Sequence, residues 1–333
     1  VTAVYMGEDS GATVYAASFV GDGSQLTGIT GSTSSLNDLT DVLVDSNSMF
    51  LSNPPTNSTG GYNTASGRNS LNSNTTGDNN TASGYYALYL NTTGDKNTAS
   101  GYKSLYENTT GEENTAYGSQ SLYKNTTGVE NTASGVYSLY YNTTGNHNTT
   151  FGYDSMSYNT TGSNNTAYGQ QSLFYNTTGS FNTASGAYSL GSNTTGSYNA
   201  ASGMFSLLSN TTGSYNTAFG YDALGKNTEG SKNTASGYES LANNTTGNYN
   251  TASGYFSLRS NITGGNNTAF GYNAMASTDN ATNQTIIGYE ATGQADNSVV
   301  LGNDDVTAVY MGEDSGAKAV SYTHLTLPTK RIV

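Results

Sequence analysis

Apolar residues in this chain follow neither the 3.6-residue period of a helix nor the two-residue alternation of a half-buried strand. They recur every 17 residues. Leu or Met stands at 71, 88, 105 and so on to 275, with Met only at Met156 and Met275. Small Ala stands at Ala82 and its equivalents, with Thr150 an exception. The polar positions keep the same step without slippage. Asn occupies 63, 80, 97 and so on to 267, and a second Asn series runs 57, 74, 91 to 261. Gly occupies 67, 84, 101 to 288 and, in a second series, 60, 77, 94 to 264. Thirteen copies in register exclude chance and ordinary low complexity, so an internal repeat governs the fold.

Each copy is rich in Asn, Thr, Gly and Ser, which disfavour helix interiors, and lacks an apolar stripe at helical spacing. Short strands broken by Asn and Gly corners fit instead. A 17-residue unit is too short for a propeller blade and matches one coil of a parallel β-solenoid, or β-roll. The fold class is therefore all-β. In such a stack identical residues form ladders from coil to coil. In the coil 80–96, Asn80 and Asn91 are expected to form polar ladders at corners, Gly84 and Gly94 to supply positive φ there, and Leu88 to fill the centre. Thirteen coils at roughly 4.8 Å each give a rod of about 60 Å. One large apolar side chain per coil is a thin core, so stability is expected to come from the ladders and from association, most simply as a homotrimer about the fibre axis.

Composition narrows the function. No run of apolar residues is long enough to span a membrane, and mean hydropathy is −0.52. A net charge of −13 with no basic cluster before residue 330 argues against nucleic-acid binding, which needs Lys and Arg on one face. With no cysteine, there is neither a disulfide framework nor a thiolate metal site. The chain starts at Val1 without a signal peptide and reads as a fragment of something longer. Composition changes at Ser321, and "SYTHLTLPTKRIV" (321–333) resembles translated adapter sequence. "VTAVYMGEDSGA" occurs at 1–12 and again at 306–317, consistent either with tandem arrays separated by junctions or with misjoined pieces. Four segments follow: a junction and linker at 1–56, the 17-residue array at 57–293, a 14-residue-type coil and junction at 294–320, and a non-native tail at 321–333.

In "TIIGYEATGQADNSVVLGND" (285–304), Gly288 and Gly302 are 14 residues apart. The stretch "NSVVLG", Asn297 to Gly302, resembles the head repeat of YadA-like trimeric adhesins, the Hep/Hag type of left-handed parallel β-roll. The 17-residue copies look like a three-residue expansion of that unit, aligned on Gly84 and its equivalents. "SFVGDGSQLTGI" (18–29) and "LNDLTDV" (36–42) look like linkers of phage tail fibres, where related repeats occur. The resemblance implies a trimeric, extracellular fibre on a cell surface or virion that adheres to surfaces. Nothing in the chain resembles a membrane-anchor barrel.

Catalysis has little to build on. His147 sits in a variable pair of the array and His324 in the tail. Glu112 and Glu113 are adjacent, as are Asp304 and Asp305, and neighbours on a strand face opposite sides, so neither pair makes an acid/base couple. The calcium nonapeptide of β-rolls is absent, and Asp304 and Asp305 read as a solvated turn. No enzyme activity, cofactor or metal is expected. Asn74, Asn91, Asn108 and Asn125 each begin a glycosylation sequon, yet Asn227 keeps its Asn where Glu229 breaks the sequon, so the Asn reads as structural.

Two binding chemistries remain. Thr64, Thr81, Thr98 and onward to Thr268 form a row interrupted only by Ala200. With Ala82 inward, Thr81 and Ser83 would face outward as an ice- or mineral-ordering array. Tyr117, Phe151, Tyr168, Phe219 and Phe270 at the Ser83 position, and the alignment of Val299 and Leu301 with Thr81 and Ser83, favour instead that these two positions face inward. The other chemistry is tyrosine. Variable pairs at 85/86, 89/90 and 95/96 carry many of the 28 Tyr, and Tyr among Asn, Ser and Gly suits adaptable binding faces. The candidate face is Tyr85, Tyr86, Tyr89, Tyr102, Tyr106, Tyr123, Tyr137, Tyr140 and Tyr141. The expected role is a non-catalytic stalk or head segment that binds cell-surface glycans or acts as a spacer, with the ice- or mineral-binding solenoid as the alternative.

Overall fold

A computed structural model of the chain describes the backbone of Val42–Asp45 and Ser48–Leu51, and residues 58–307. The first junction copy, the linker-like segments before Val42, nearly all of the second junction copy and the tail with His324 fall outside the described residues. Strand β1 (Val42–Asp45) pairs antiparallel with β2 (Ser48–Leu51), and β2 runs parallel to β3 (Thr64–Ser66). From β3 onward every described strand is three residues long and pairs parallel with its equivalent one coil later. The series ends at β16 (Thr285–Ile287) and β17 (Val299–Leu301). Ala82 sits opposite Ala99 and Thr81 opposite Thr98, so the 17-residue step is also the sheet register. This is a parallel β-solenoid. Thirteen full coils, starting at Asn63 and ending at Asn283, precede one 14-residue coil at 284–297.

The three-residue strands form only one side of the coil. Elsewhere the backbone turns, yet its amides still point along the stack. In the coil 80–96, the N–H groups of Thr81, Leu88, Leu90 and Thr92 donate to the following coil. Those of Gly84, Tyr86 and Lys96 donate to the preceding one. Reversing direction this way needs residues with positive φ. Gly84 supplies one at +134°. Three more come from residues with side chains: Tyr86 at 59°, Leu88 at 50° and Lys96 at 54°, and their equivalents match along the array except at Met275. The left-handed conformation costs a non-glycine residue roughly 1–2 kcal/mol. Full burial of Leu88, which is inaccessible to solvent, contributes about 1.5–3 kcal/mol. The one large apolar group of each coil thus does little more than offset its own backbone strain. The frame must be held by something else.

That something is the polar corner. Asn91 Nδ2 donates to Asn74 Oδ1 of the preceding coil at 2.8 Å and to the Gly94 carbonyl at 2.9 Å. Asn80 Nδ2 donates to the same carbonyl at 2.9 Å, and Asn80 Oδ1 accepts the backbone N–H of Asn97 at 2.9 Å. Both ladders are buried along the array. Thr92 adds a third, its Oγ1 donating to the Thr109 carbonyl at 3.0 Å. Each such bond is worth about 0.5–1.5 kcal/mol net. Among the described residues no buried side-chain nitrogen or oxygen lacks a partner. Even Thr150, the exception in the Ala82 series, is buried with its hydroxyl bonded to Ser138.

Two expectations need correction. Only the Gly84 series has positive φ. Gly94 and its equivalents do not. They are glycine because there is no room: a Cβ on Gly128 would sit 2.5 Å from the Gly145 carbonyl oxygen. Ala281 replaces this glycine only where the Asn91 ladder has ended, with Thr278 in the Asn position. Second, the strand side chains are placed opposite to the favoured alignment. Ala82 points inward while Thr81 and Ser83 face solvent. Val299 and Leu301 are exposed as well. The burial of the middle residue follows from the size of the coil, which admits Ala or Thr beside Leu88 and nothing larger until Ile286 in the short coil.

These constraints give two expected outcomes in urea unfolding. Leu122→Met should cost under about 1.5 kcal/mol. Leu122→Val should cost more than that despite its apolar bulk, because a β-branched residue is poorly tolerated at positive φ. Gly128→Ala should cost at least as much as Leu122→Ala, about 2–5 kcal/mol, by forcing coils 114–130 and 131–147 apart.

Candidate binding face

The frame leaves at least five kinds of position free to vary, and the register turns each into a row along the stack. Residues are named by the coil 80–96: the Tyr85, Tyr86, Tyr89 and Leu90 rows follow Gly84, and the Lys96 row lies at the far corner. A side chain in any row meets its equivalent one coil away, at a separation set by the backbone.

All nine tyrosines picked from the sequence fall into one connected cluster. Tyr89, Tyr106, Tyr123 and Tyr140 stack with ring centroids 5.3, 5.1 and 5.0 Å apart. Tyr86 meets Tyr89 edge-on at 4.8 Å and Tyr85 at 4.3 Å. Tyr85 stacks on Tyr102 at 5.9 Å. Tyr137 and Tyr141 flank Tyr140 at 5.8 and 4.6 Å. Tyr85, Tyr102, Tyr137 and Tyr141 are exposed, whereas Tyr86 and the Tyr89 row are half-buried against one another. The ammonium of Lys103 lies 5.2 Å from the Tyr106 ring and 5.5 Å from the Tyr102 ring, a cation–π arrangement on the ladder.

The face extends beyond these nine. Tyr141 continues to Tyr158 and Tyr175 at 5.0 and 5.3 Å, with Phe174 edge-on to both Tyr158 and Tyr175. In the Tyr85 row, Tyr221, Tyr238, Tyr255, Tyr272 and Tyr289 form a five-ring ladder with spacings of 5.1, 5.0, 5.4 and 5.2 Å. On the Lys96 row, Phe181, Tyr198 and Tyr215 stack at 4.9 Å. These ladders were missed although their signal was in the sequence: an aromatic at one frame position in consecutive copies must form a stack.

Charges in the rows are complementary between neighbouring coils. Lys96 pairs with Glu113 at 2.7 Å, Lys124 with Glu107 at 2.5 Å and Arg259 with Glu239 at 2.6 Å. Exposed pairs of this kind contribute little. His147 lies on the surface 3.0 Å from Glu130. Asp154, in the Tyr86 row, is half-buried. Desolvation raises its carboxyl above the ordinary value, while hydrogen bonds from Gln171 and Tyr153 act in the opposite direction. Among the described residues no three His, Asp or Glu side chains converge as a metal site, and no helix is long and apolar enough to cross a membrane. The sequon asparagines Asn74, Asn91, Asn108 and Asn125 are buried with their amides engaged in the ladder, which leaves no nitrogen for a glycan in the folded coil. Asp304 and Asp305 are exposed beside Asn303, whose Oδ1 accepts the Asp305 N–H.

No protein-family model matches the chain, and no curated protein matches it in sequence.

The aromatic rows decorate the frame rather than hold it. Tyr255→Ser is expected to cost about 1 kcal/mol, the scale of an aromatic contact. Leu258→Ala, three residues on but buried, should cost about 2–5 kcal/mol. Urea midpoints of the two variants check this.

Proposed function

We propose that this chain is a segment of an extracellular fibre, on a cell surface or a virion, with a non-catalytic role in adhesion to surface glycans or in spacing. The observation that carries this reading is the separation of labour within each coil. The two Asn series, Leu88 and Gly94 with their equivalents are fixed and buried, while the variable positions project as aromatic and polar rows. Such a surface offers stacking faces and hydroxyls over a long distance. Its chemistry suits sugars. The resemblance of residues 297–302 to the repeat of YadA-like heads, and of the linker segments to phage tail fibres, points the same way.

Association fits the same reading. The strand side of the stack exposes Tyr117, Phe151, Tyr168, Phe219, Phe270 and Ile287, with Phe151 stacked on Tyr168 at 5.1 Å. Rings of this size on a sheet face are natural contacts for further copies of the chain, and a fibre built on a thin core gains most from them. Three copies about a common axis are the simplest arrangement. In sedimentation the chain should run as a trimer, and Phe151→Ser with Tyr168→Ser should shift it toward monomer. A compact monomer in the unaltered protein would overturn the trimer.

The outward direction of Thr81 and Ser83 favours a second reading, ice or mineral binding. Its weakness is length. The Thr-x-Ser face runs unbroken only through the coils of Thr64, Thr81 and Thr98 before Tyr117 interrupts it, about 15 Å of stack. Thermal hysteresis abolished by Thr81→Tyr and Thr98→Tyr would establish this reading over the first. Glycan-array binding that survives both changes would favour the first.

A further inference from the structure

The half-buried Tyr89 row does not continue evenly. After Tyr89, Tyr106, Tyr123 and Tyr140 come Ser157, Phe174, Gly191 and Leu208. A bulky side chain is therefore missing at two of these four places, Ser157 and Gly191, and at both the surface opens. At Ser157 the cavity is about 360 Å³, walled by Tyr140 on one side and Phe174 on the other, with Tyr137 and Tyr158 beside them and Gln120 and Asp154 at its lip. At Gly191 it is about 190 Å³, between Phe174 and Leu208, with Tyr175, Tyr188 and Gln171. Phe174 is shared by both.

Resting on the adhesive reading, we infer that these two notches are adjacent subsites for the hexose rings of a neutral oligosaccharide. Three observations select that ligand. Removing one ring from a stack of coils leaves two coil rises, about 10 Å, between the positions of Tyr140 and Phe174. That spacing admits one six-membered ring between the two walls. The lips carry paired hydroxyl-binding groups. Asp154 and Gln120 line the first opening and Gln171 the second. The Asp154 carboxylate, on a chain of net charge −13, selects against acidic sugars. Finally, Ser157 and Gly191 are two coils apart, again about 10 Å. That separation is within reach of a trisaccharide whose middle unit passes over the edge of Phe174, so one short chain reaches both.

The test fills the notches instead of emptying them. Ser157→Tyr and Gly191→Tyr restore the ring that this row already carries at Tyr140; Gly191 has no positive φ, and a Cβ there would lie 3.1 Å from the Tyr188 carbonyl oxygen and 3.2 Å from Leu208 Cδ1, so these neighbours must give by a few tenths of an ångström. The full chain and the double variant are compared on immobilised neutral gluco-, galacto- and manno-oligosaccharides of one to six units and on acidic oligosaccharides of the same lengths, with binding constants for any positive measured in solution. Unfolding midpoints of both proteins are recorded. The expected result is a gain in affinity from one to three units in the unaltered protein. The double variant should lose about tenfold or more of it, the scale of one lost stacking contact, with its midpoint unchanged or raised. If the unaltered protein binds one of these oligosaccharides and the double variant binds it equally well, the subsites are overturned while the adhesive reading stands. If acidic glycans bind and neutral ones do not, the ligand class is overturned. If no glycan of any class binds a chain that assembles as a trimer, the subsites and the adhesive role both fall, leaving the spacer.

Discussion

The carbonyl oxygen of Gly94, repeated in twelve of the thirteen full coils, is the point on which this structure turns. It accepts hydrogen bonds from two asparagine side chains of its own coil, Asn80 and Asn91, and each of those asparagines is also bonded to the neighbouring coil. The glycine cannot acquire a side chain, because the next coil's carbonyl occupies the space. Three residues in seventeen therefore fix the corner, the spacing and the direction of stacking together. With the leucine of each coil largely offsetting its own backbone strain, this shared polar corner accounts for the strictness of the repeat.

Much of the fold was legible in the sequence because a solenoid converts periodicity directly into structure. The 17-residue step is the coil, the Asn series are the ladders and Leu88 is the centre. What could not be read was how each residue is used. Glycine is required at Gly84 by φ and at Gly94 by close approach, and the letter is the same. Leu88 at positive φ contradicts its own preference, since nothing in a leucine signals a left-handed corner. The direction of Thr81 and Ser83 was misjudged from Val299 and Leu301, whose apolar character suggested the interior. They lie exposed on the strand side, where a further chain could cover them. The candidate site divided in the same way. The nine tyrosines do form one cluster, but a list of residues did not show that rows, rather than single rings, are the unit. The long ladder from Tyr221 to Tyr289 and the gaps at Ser157 and Gly191 follow only when each position is aligned along the stack.

This arrangement has a consequence for how such a protein can change. Residues in the rows touch mainly their equivalents one coil away, and the frame beneath them is satisfied without them. A row can be rewritten ring by ring, charge by charge or gap by gap with little effect on folding. The pairs Lys96–Glu113 and Lys124–Glu107 show the rows tuned to their neighbours. A binding surface of this type is composed along one dimension, and its specificity lies in the order of ring, gap and charge.

Buried amide donors at the corner hold the stack. Asn125 tests it at mid-array. Its Nδ2 donates to Asn108 Oδ1 at 2.7 Å and to the Gly128 carbonyl at 3.0 Å, while its Oδ1 accepts from Asn142. Asn125→Asp keeps the shape and replaces the donor with a charged acceptor facing two acceptors. The change in urea unfolding free energy at neutral pH should be a loss of about 3–5 kcal/mol, the scale of an uncompensated buried charge. The same change at half-buried Asn146, whose Oδ1 only accepts the Val129 N–H, keeps that acceptor and should have almost no effect. A loss at Asn125 below about 0.5 kcal/mol would contradict the account.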